Sequence, residues 1–136
     1  MTNQFHEDLL LELSKGELDE LQRKIYDLLK QYPDGISRQN FVFLIYGYVP
    51  VQLAGNKHDR KIRKAIEKLR LRLFPIIATS AKPGYRLDFS RQAVSKMLSE
   101  LQSRRDRIQE QINSAAKFYC IPEYIEPIHA TQTRFL

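Results

Sequence analysis

The sequence has few of the residues on which redox, metal and nucleotide chemistry depend. Cys120 is the only cysteine, which excludes an intrachain disulfide and a cysteine-based zinc cluster within one chain. The five glycines form neither a phosphate-binding loop nor a dinucleotide fingerprint. The three histidines are scattered, and no serine–histidine–acid arrangement stands out. We therefore predict a protein that is not an enzyme, with no catalytic residue, no metal site and no cofactor.

Long apolar runs are also missing. No run approaches the roughly 18 residues that a membrane-spanning helix needs. The N-terminal segment carries acids where a signal peptide carries basic residues. These features predict a cytoplasmic protein without membrane contact. A chain of 136 residues with 43% hydrophobic content predicts one globular domain plus an appendage.

Positive charge is abundant but unevenly placed. The segment from Asn56 to Arg86 has ten Lys or Arg residues and two acids, a net charge of +8, whereas the whole chain carries +6. The remainder is therefore slightly acidic, at −2. A localised basic patch indicates a polyanion-binding site, although a solvated helix face is the alternative explanation.

Hydrophobic periodicity predicts a mainly α-helical fold with a small β-hairpin. A helix over 6–15 is expected to end at Gly16, and a second, from Leu18, is stopped by Pro33. Ser37 and Gly47 bound a third helix, and the basic helix over 57–72 is the fourth. We predict a winged helix-turn-helix with a long C-terminal helix. Its parts are an N-terminal helix (1–16), the winged domain (17–89), the long helix (90–119) and an arm or tail (120–136).

Two predictions concern the core. Phe41, Leu44 and Ile45 form an apolar stripe that Val42 and Phe43 widen, so the third helix is expected to be largely buried.

In the long helix, which Ser90 is expected to cap, we assign Val94, Leu98 and Leu101 to the domain core because they lie nearest the wing.

The basic helix is the main candidate site. If Ile62, Ile66 and Leu69 face the core, several cations point outward, as in a helix that lies in the major groove. Arginine can grip guanine with two hydrogen bonds, so Arg60 is the first candidate for base readout. Asn56 and Lys61 come next. The predicted DNA contacts in and before this helix are Asn56, Lys57, Arg60, Lys61, Arg63, Lys64 and Lys68.

A hairpin wing over 75–89 follows the basic helix. The runs "PIIAT" and "YRLDF" read as strands, and Pro83-Gly84 suits the centre of a type II turn. Ser80 and Lys82 at the tip are predicted to contact DNA phosphate or the minor groove, with an ordinary solvated turn as the alternative.

The long helix is too extended for a small domain to cover. Leu101, Ile108, Ile112 and Ala115 are predicted to form a dimer contact, interrupted near Arg105. Packing against the apolar N-terminal cluster of the same chain is the alternative.

Three stretches together resemble a known family. "ISRQNFVFLIYG", "DRKIRKAIEKLRLRLFPIIA" and "KPGYRLD" resemble the winged helix-turn-helix domain of the biotin-operon-repressor type over about residues 36–89. Leu73 stands where that family usually has glycine, and the 47–57 connection is longer than usual. The resemblance implies DNA binding through the basic helix and wing. Because the chain is short, the enzyme or ligand domain of that family's larger relatives is expected to be absent. A small protein of this kind also resembles bacteriophage regulators, which act in an infected bacterial cell.

The leading hypothesis is therefore a sequence-specific double-stranded DNA-binding protein that regulates transcription, as a homodimer. Two rivals remain open. One is a phage-type replication or packaging factor that binds DNA with the same fold. The other is a winged-helix interaction module that binds an acidic protein.

Overall fold

A computed structural model describes residues 3–79 and 84–128. These residues form five α-helices and one three-stranded antiparallel sheet, which confirms the predicted fold class. The helices are α1 (Asn3–Leu13), α2 (Glu20–Gln31), α3 (Arg38–Tyr46), α4 (Lys57–Leu71) and α5 (Arg91–Phe118). The strands are β1 (Ile36–Ser37), β2 (Ile76–Ala78) and β3 (Gly84–Leu87). The chain divides into two compact units, Met1–Val94 and Ser95–Leu136.

The helix boundaries in the first unit follow local capping chemistry. The Ser37 hydroxyl accepts a hydrogen bond from the Asn40 amide at 3.1 Å, so Ser37 caps α3 as predicted. Gly47 ends α3 in the left-handed conformation, with φ of +83°. Asp19 begins α2 through a reciprocal capping box with Gln22. Ser90 caps α5 as predicted, because its hydroxyl accepts from the Ala93 amide at 3.2 Å.

The sheet has the strand order β1-β3-β2. Pairing of β2 with β3 confirms the two predicted strands, whereas the two-residue β1 was not predicted. Gly84, expected in a turn, is the first residue of β3 and pairs with Ser37 of β1. A Cβ atom at Gly84 would lie 2.3 Å from the Ile36 carbonyl oxygen, so the close strand approach requires glycine. Residues 80–83, including Ser80 and Lys82, lie outside the described residues.

The core of the first unit lies between α2, α3, α4 and the sheet. Its largest fully buried apolar side chains are Ile25, Leu29, Phe41, Val42, Ile62, Ile66, Leu69, Phe74, Pro75 and Ile76. The prediction that α3 is largely buried was wrong, because Phe43 and Leu44 are exposed. The helix contacts the core through Phe41 and Val42, and its opposite side faces away.

A buried polar contact docks α1 onto α2. The Glu7 carboxylate accepts a hydrogen bond from the Tyr26 hydroxyl and forms a 2.7 Å salt bridge with Lys30. Burial, followed by the hydrogen bond to Glu7, raises the pKa of Tyr26. Leu10 supplies the apolar part of the same contact. None of the helices in the described ranges combines the length and apolar character needed to cross a membrane.

The second unit contains most of α5 and a returning tail. After Phe118 the chain reverses at Cys120, whose φ is +58°, and forms a short 3-10 helix over Pro122–Tyr124. The tail then runs back along α5, where Asn113 exchanges two hydrogen bonds with the Glu126 backbone, at 2.8 and 3.0 Å. The assignment of Leu98 and Leu101 to the domain core was wrong, since both are about half exposed.

Candidate nucleic-acid interface

Helix α4 is divided sharply between a buried and an exposed side. Ile62, Ala65, Ile66 and Leu69 are buried in the core. At about 100° per residue, five cations fall within an exposed sector about 100° wide on the opposite side. These cations are Lys57, Arg60, Lys61, Lys64 and Lys68, and together they are called the basic face. The core packing of α4 therefore fixes which way the basic face points.

The charges of the basic face are not neutralised by ion pairs within the described residues. Within the described parts of the chain, none of its five side chains forms a salt bridge. Glu67 lies at the edge of the sector and is the only acid near it on α4. From Lys57 to Lys68 the face extends about 16 Å along the helix, or about three turns.

The start of α4 is tied to the start of α3 by a buried carboxylate. Asp59 is 1% exposed and accepts from the Arg38 guanidinium, with the Nε–Oδ1 distance at 3.1 Å. Arg63, one turn along α4, donates its Nε to Asp59 Oδ2 at 3.0 Å. The hydrogen bond from Asp59 raises the pKa of Arg38. This Arg38–Asp59 clamp holds α3 and α4 in one orientation relative to each other.

An aromatic cluster holds the α3–α4 connection against the first turn of α4. The His58 ring stacks on Tyr46 with centroids 4.0 Å apart and planes inclined by 24°. The Tyr48 hydroxyl lies 2.8 Å from His58 Nδ1 and accepts from Asn56 Nδ2 at 3.1 Å. Asn56 Oδ1 accepts from the Asp59 amide at 2.8 Å and caps α4. The long connection is therefore fastened at its C-terminal end.

The C-terminal end of α4 turns sharply into the sheet. Leu73 has φ of +78°, and its amide donates to the Arg70 carbonyl at 2.9 Å. The Phe74 amide donates to the Leu69 carbonyl at 3.1 Å, which completes a Schellman motif. Leu73 thus occupies the left-handed position where the resembled family has glycine. Arg70 continues the connection by donating its Nε to the Ile76 carbonyl at 2.8 Å.

The structure brings most of the predicted contact residues together on α4. Arg60, Lys61, Lys64 and Lys68 share the basic face with Lys57, as the helical spacing predicts. Asn56 and Arg63 are committed to the cap and to Asp59 instead.

Sequence reasoning missed the roles of Arg38 and Asp59. The role of Asp59 has a signal in the sequence: at about 100° per residue, Asp59 falls on the core side of α4. Among the described residues no group of three metal-ligating side chains comes together.

Comparison with known proteins gives no relative from which a function can be transferred. No protein-family model, no curated protein and no solved structure matches this chain.

Proposed function

We propose that the first unit binds double-stranded DNA by placing α4 in the major groove with its basic face against the phosphates and bases. The observation that supports this most directly is the set of five exposed cations, unpaired within the described residues, on one side of a helix whose other side is core. Cations already paired with carboxylates would have to break those pairs before they bound phosphate. The cations of the basic face are free to replace condensed counterions on DNA directly.

Rigidity supports the same proposal. A helix that reads bases has to keep its orientation, because each base contact depends on the positions of its donors and acceptors. The Arg38–Asp59 clamp, the Asn56 cap and the Schellman motif hold both ends of α4 against the domain. The basic face is therefore preorganised, and little conformational freedom is lost when it binds.

The side chains of the basic face divide by chemistry into two roles. Arg60 has a planar guanidinium that can donate two parallel hydrogen bonds to guanine, so it reads sequence. Lys57, Lys64 and Lys68 are point charges and contact phosphate, which positions the domain. Sequence-specific binding of this kind is expected of a transcriptional regulator, in keeping with the resemblance in residues 36–89. A replication or packaging factor would use the same contacts at an origin or a DNA end.

The test is a salt titration of binding to short duplexes, including duplexes selected from a random pool. Lys64→Ala is expected to weaken all duplexes alike and to lower the slope of log K against log salt by about 1. Arg60→Ala is expected to reduce discrimination against wrong base pairs by about 1–3 kcal/mol.

Arg23 is exposed on α2 and serves as the matched control, since Arg23→Ala removes one exposed charge without touching α4. The proposal fails if Arg23→Ala and Lys64→Ala weaken binding equally, or if wild-type affinity barely changes with salt. A failed DNA test together with salt-sensitive binding to an acidic protein would instead favour the interaction-module hypothesis.

A further inference from the structure

The part of α5 in the second unit, together with Tyr119 directly after it, carries a regular heptad repeat. Leu98, Ile112 and Tyr119 stand at the first core position of successive heptads, together with Arg105. Leu101, Ile108 and Ala115 stand at the other core position. The spacing alternates strictly between three and four residues, as in helices that pair along their length. These seven residues are called the α5 seam, and it extends about 33 Å along the helix.

Within the described residues of the second unit, the α5 seam is largely exposed. Leu98 and Ile108 are 53% and 54% exposed, and Tyr119 and the neighbouring Phe118 are exposed further. The exposed apolar area of the seam and Phe118 is on the order of 500 Å². A contiguous apolar patch of that size on a soluble protein marks an interaction surface.

The returning tail occupies one flank of the seam. Gln109 donates to the Tyr124 carbonyl at 3.3 Å, and Asn113 holds Glu126 with two hydrogen bonds. Ala116 is buried on the same side of the helix. In the heptad, Gln109 and Ala116 flank the Leu98–Ile112 edge of the seam. A partner helix therefore meets the seam from the other flank, which carries Arg104, Gln111 and Phe118.

We propose that this surface binds the same surface of a second copy of the chain, with the two α5 helices antiparallel. In a parallel pair the two Arg105 side chains would lie in one core layer, with like charges opposed. In an antiparallel pair centred between Arg105 and Ile108, each Arg105 faces the partner's Ile108. Its aliphatic stem covers that isoleucine while the guanidinium stays in water.

The flanks of the seam also meet in a defined way. On one side of an antiparallel pair the two open flanks face each other, and on the other side the two tail-bearing flanks do. In the proposed register Arg104 lies opposite the partner's Gln111, so no two like charges face each other there. The area of the patch is below the roughly 800 Å² per partner of a standard interface, so dimerisation in the micromolar range is expected.

The first experiment is sedimentation equilibrium of the full chain up to about 100 μM, well above the expected dissociation constant. Ile108→Asp places a charge in the seam and is expected to weaken dimerisation about tenfold or more. Ser103→Asp is the matched control, because Ser103 is exposed on the side of α5 opposite the seam. Circular dichroism of both variants checks that the helix remains folded.

The second experiment measures orientation with the native thiol. Cys120 is exposed and is the only cysteine, so a nitroxide label reports one distance per dimer without further substitution. Antiparallel pairing in the proposed register places the two labelled positions roughly 40 Å apart along the axis, whereas parallel pairing places them about 10 Å apart.

A monomer at every concentration, or a dimer that Ile108→Asp leaves intact, overturns the pairing. A dimer with the short distance overturns the antiparallel orientation. None of these readouts involves DNA, so they separate this proposal from the one on α4.

Discussion

Replacing Leu73 by glycine tests the energetic account of the α4–sheet junction. The left-handed conformation costs a residue with a Cβ atom about 1–2 kcal/mol relative to the right-handed one. Leu73 adopts it with φ of +78°, although it is 72% exposed and gains little from burial. Leu71 provides the comparison because it is 78% exposed and ends α4 with helical geometry. Leu71→Gly and Leu73→Gly remove the same side chain and give the unfolded chain the same added freedom.

The difference between the two variants therefore isolates the cost of the left-handed backbone. Leu71→Gly is expected to destabilise the fold by about 1 kcal/mol, as glycine does in a helix. Leu73→Gly is expected to be about 1–2 kcal/mol more stable than Leu71→Gly, a difference of about 4–8 °C in melting temperature. Thermal unfolding followed by circular dichroism measures both. Equal melting temperatures for the two variants would refute the strain argument.

Three further predictions concern stability. Gly84→Ala is expected to destabilise the fold by about 1–3 kcal/mol in urea titrations, because the added methyl group would overlap the Ile36 carbonyl. Wild-type stability of this variant would contradict the close approach of β1 and β3. Since the pKa of Tyr26 is raised on folding, the stability of the fold is expected to fall as the pH rises above about 10, and Tyr26→Phe is expected to flatten that decline. Identical profiles of stability against alkaline pH for the wild type and Tyr26→Phe would argue against a buried phenol. Arg38→Ala leaves the buried Asp59 carboxylate with a single arginine, whereas Asp59→Ala leaves two partly exposed cations. Arg38→Ala is therefore expected to lower the melting temperature more than Asp59→Ala does, and the reverse order would disprove the clamp.

Local signals in the sequence predicted most helix limits in the first unit. Ser37, Gly47 and Ser90 act on the backbone within a few residues, so their effect can be derived without the tertiary structure. The apolar spacing of α4 likewise predicted its basic face.

Features that depend on distant partners were not predictable in this way. Strand β1 has two residues and exists only because Ile36 and Ser37 pair with β3, about 50 residues later. Phe43 and Leu44 continue the apolar run of α3, but none of the described elements of the unit covers them. The role of Asp59 depends on Arg38, which lies 21 residues earlier in the chain.

The Arg38–Asp59 clamp also bears on how the connection between α3 and α4 can vary. In a minimal helix-turn-helix, a short turn sets the angle between the two helices, so each residue added there rotates one helix against the other. Here the angle is set by contacts at the starts of the two helices, and Val51 midway along the connection is fully exposed. The middle of the connection can therefore gain or lose residues at the small entropic cost of changing a loop's length, without moving the basic face. Loop length and helix orientation, which are coupled in the minimal motif, are independent variables in this protein.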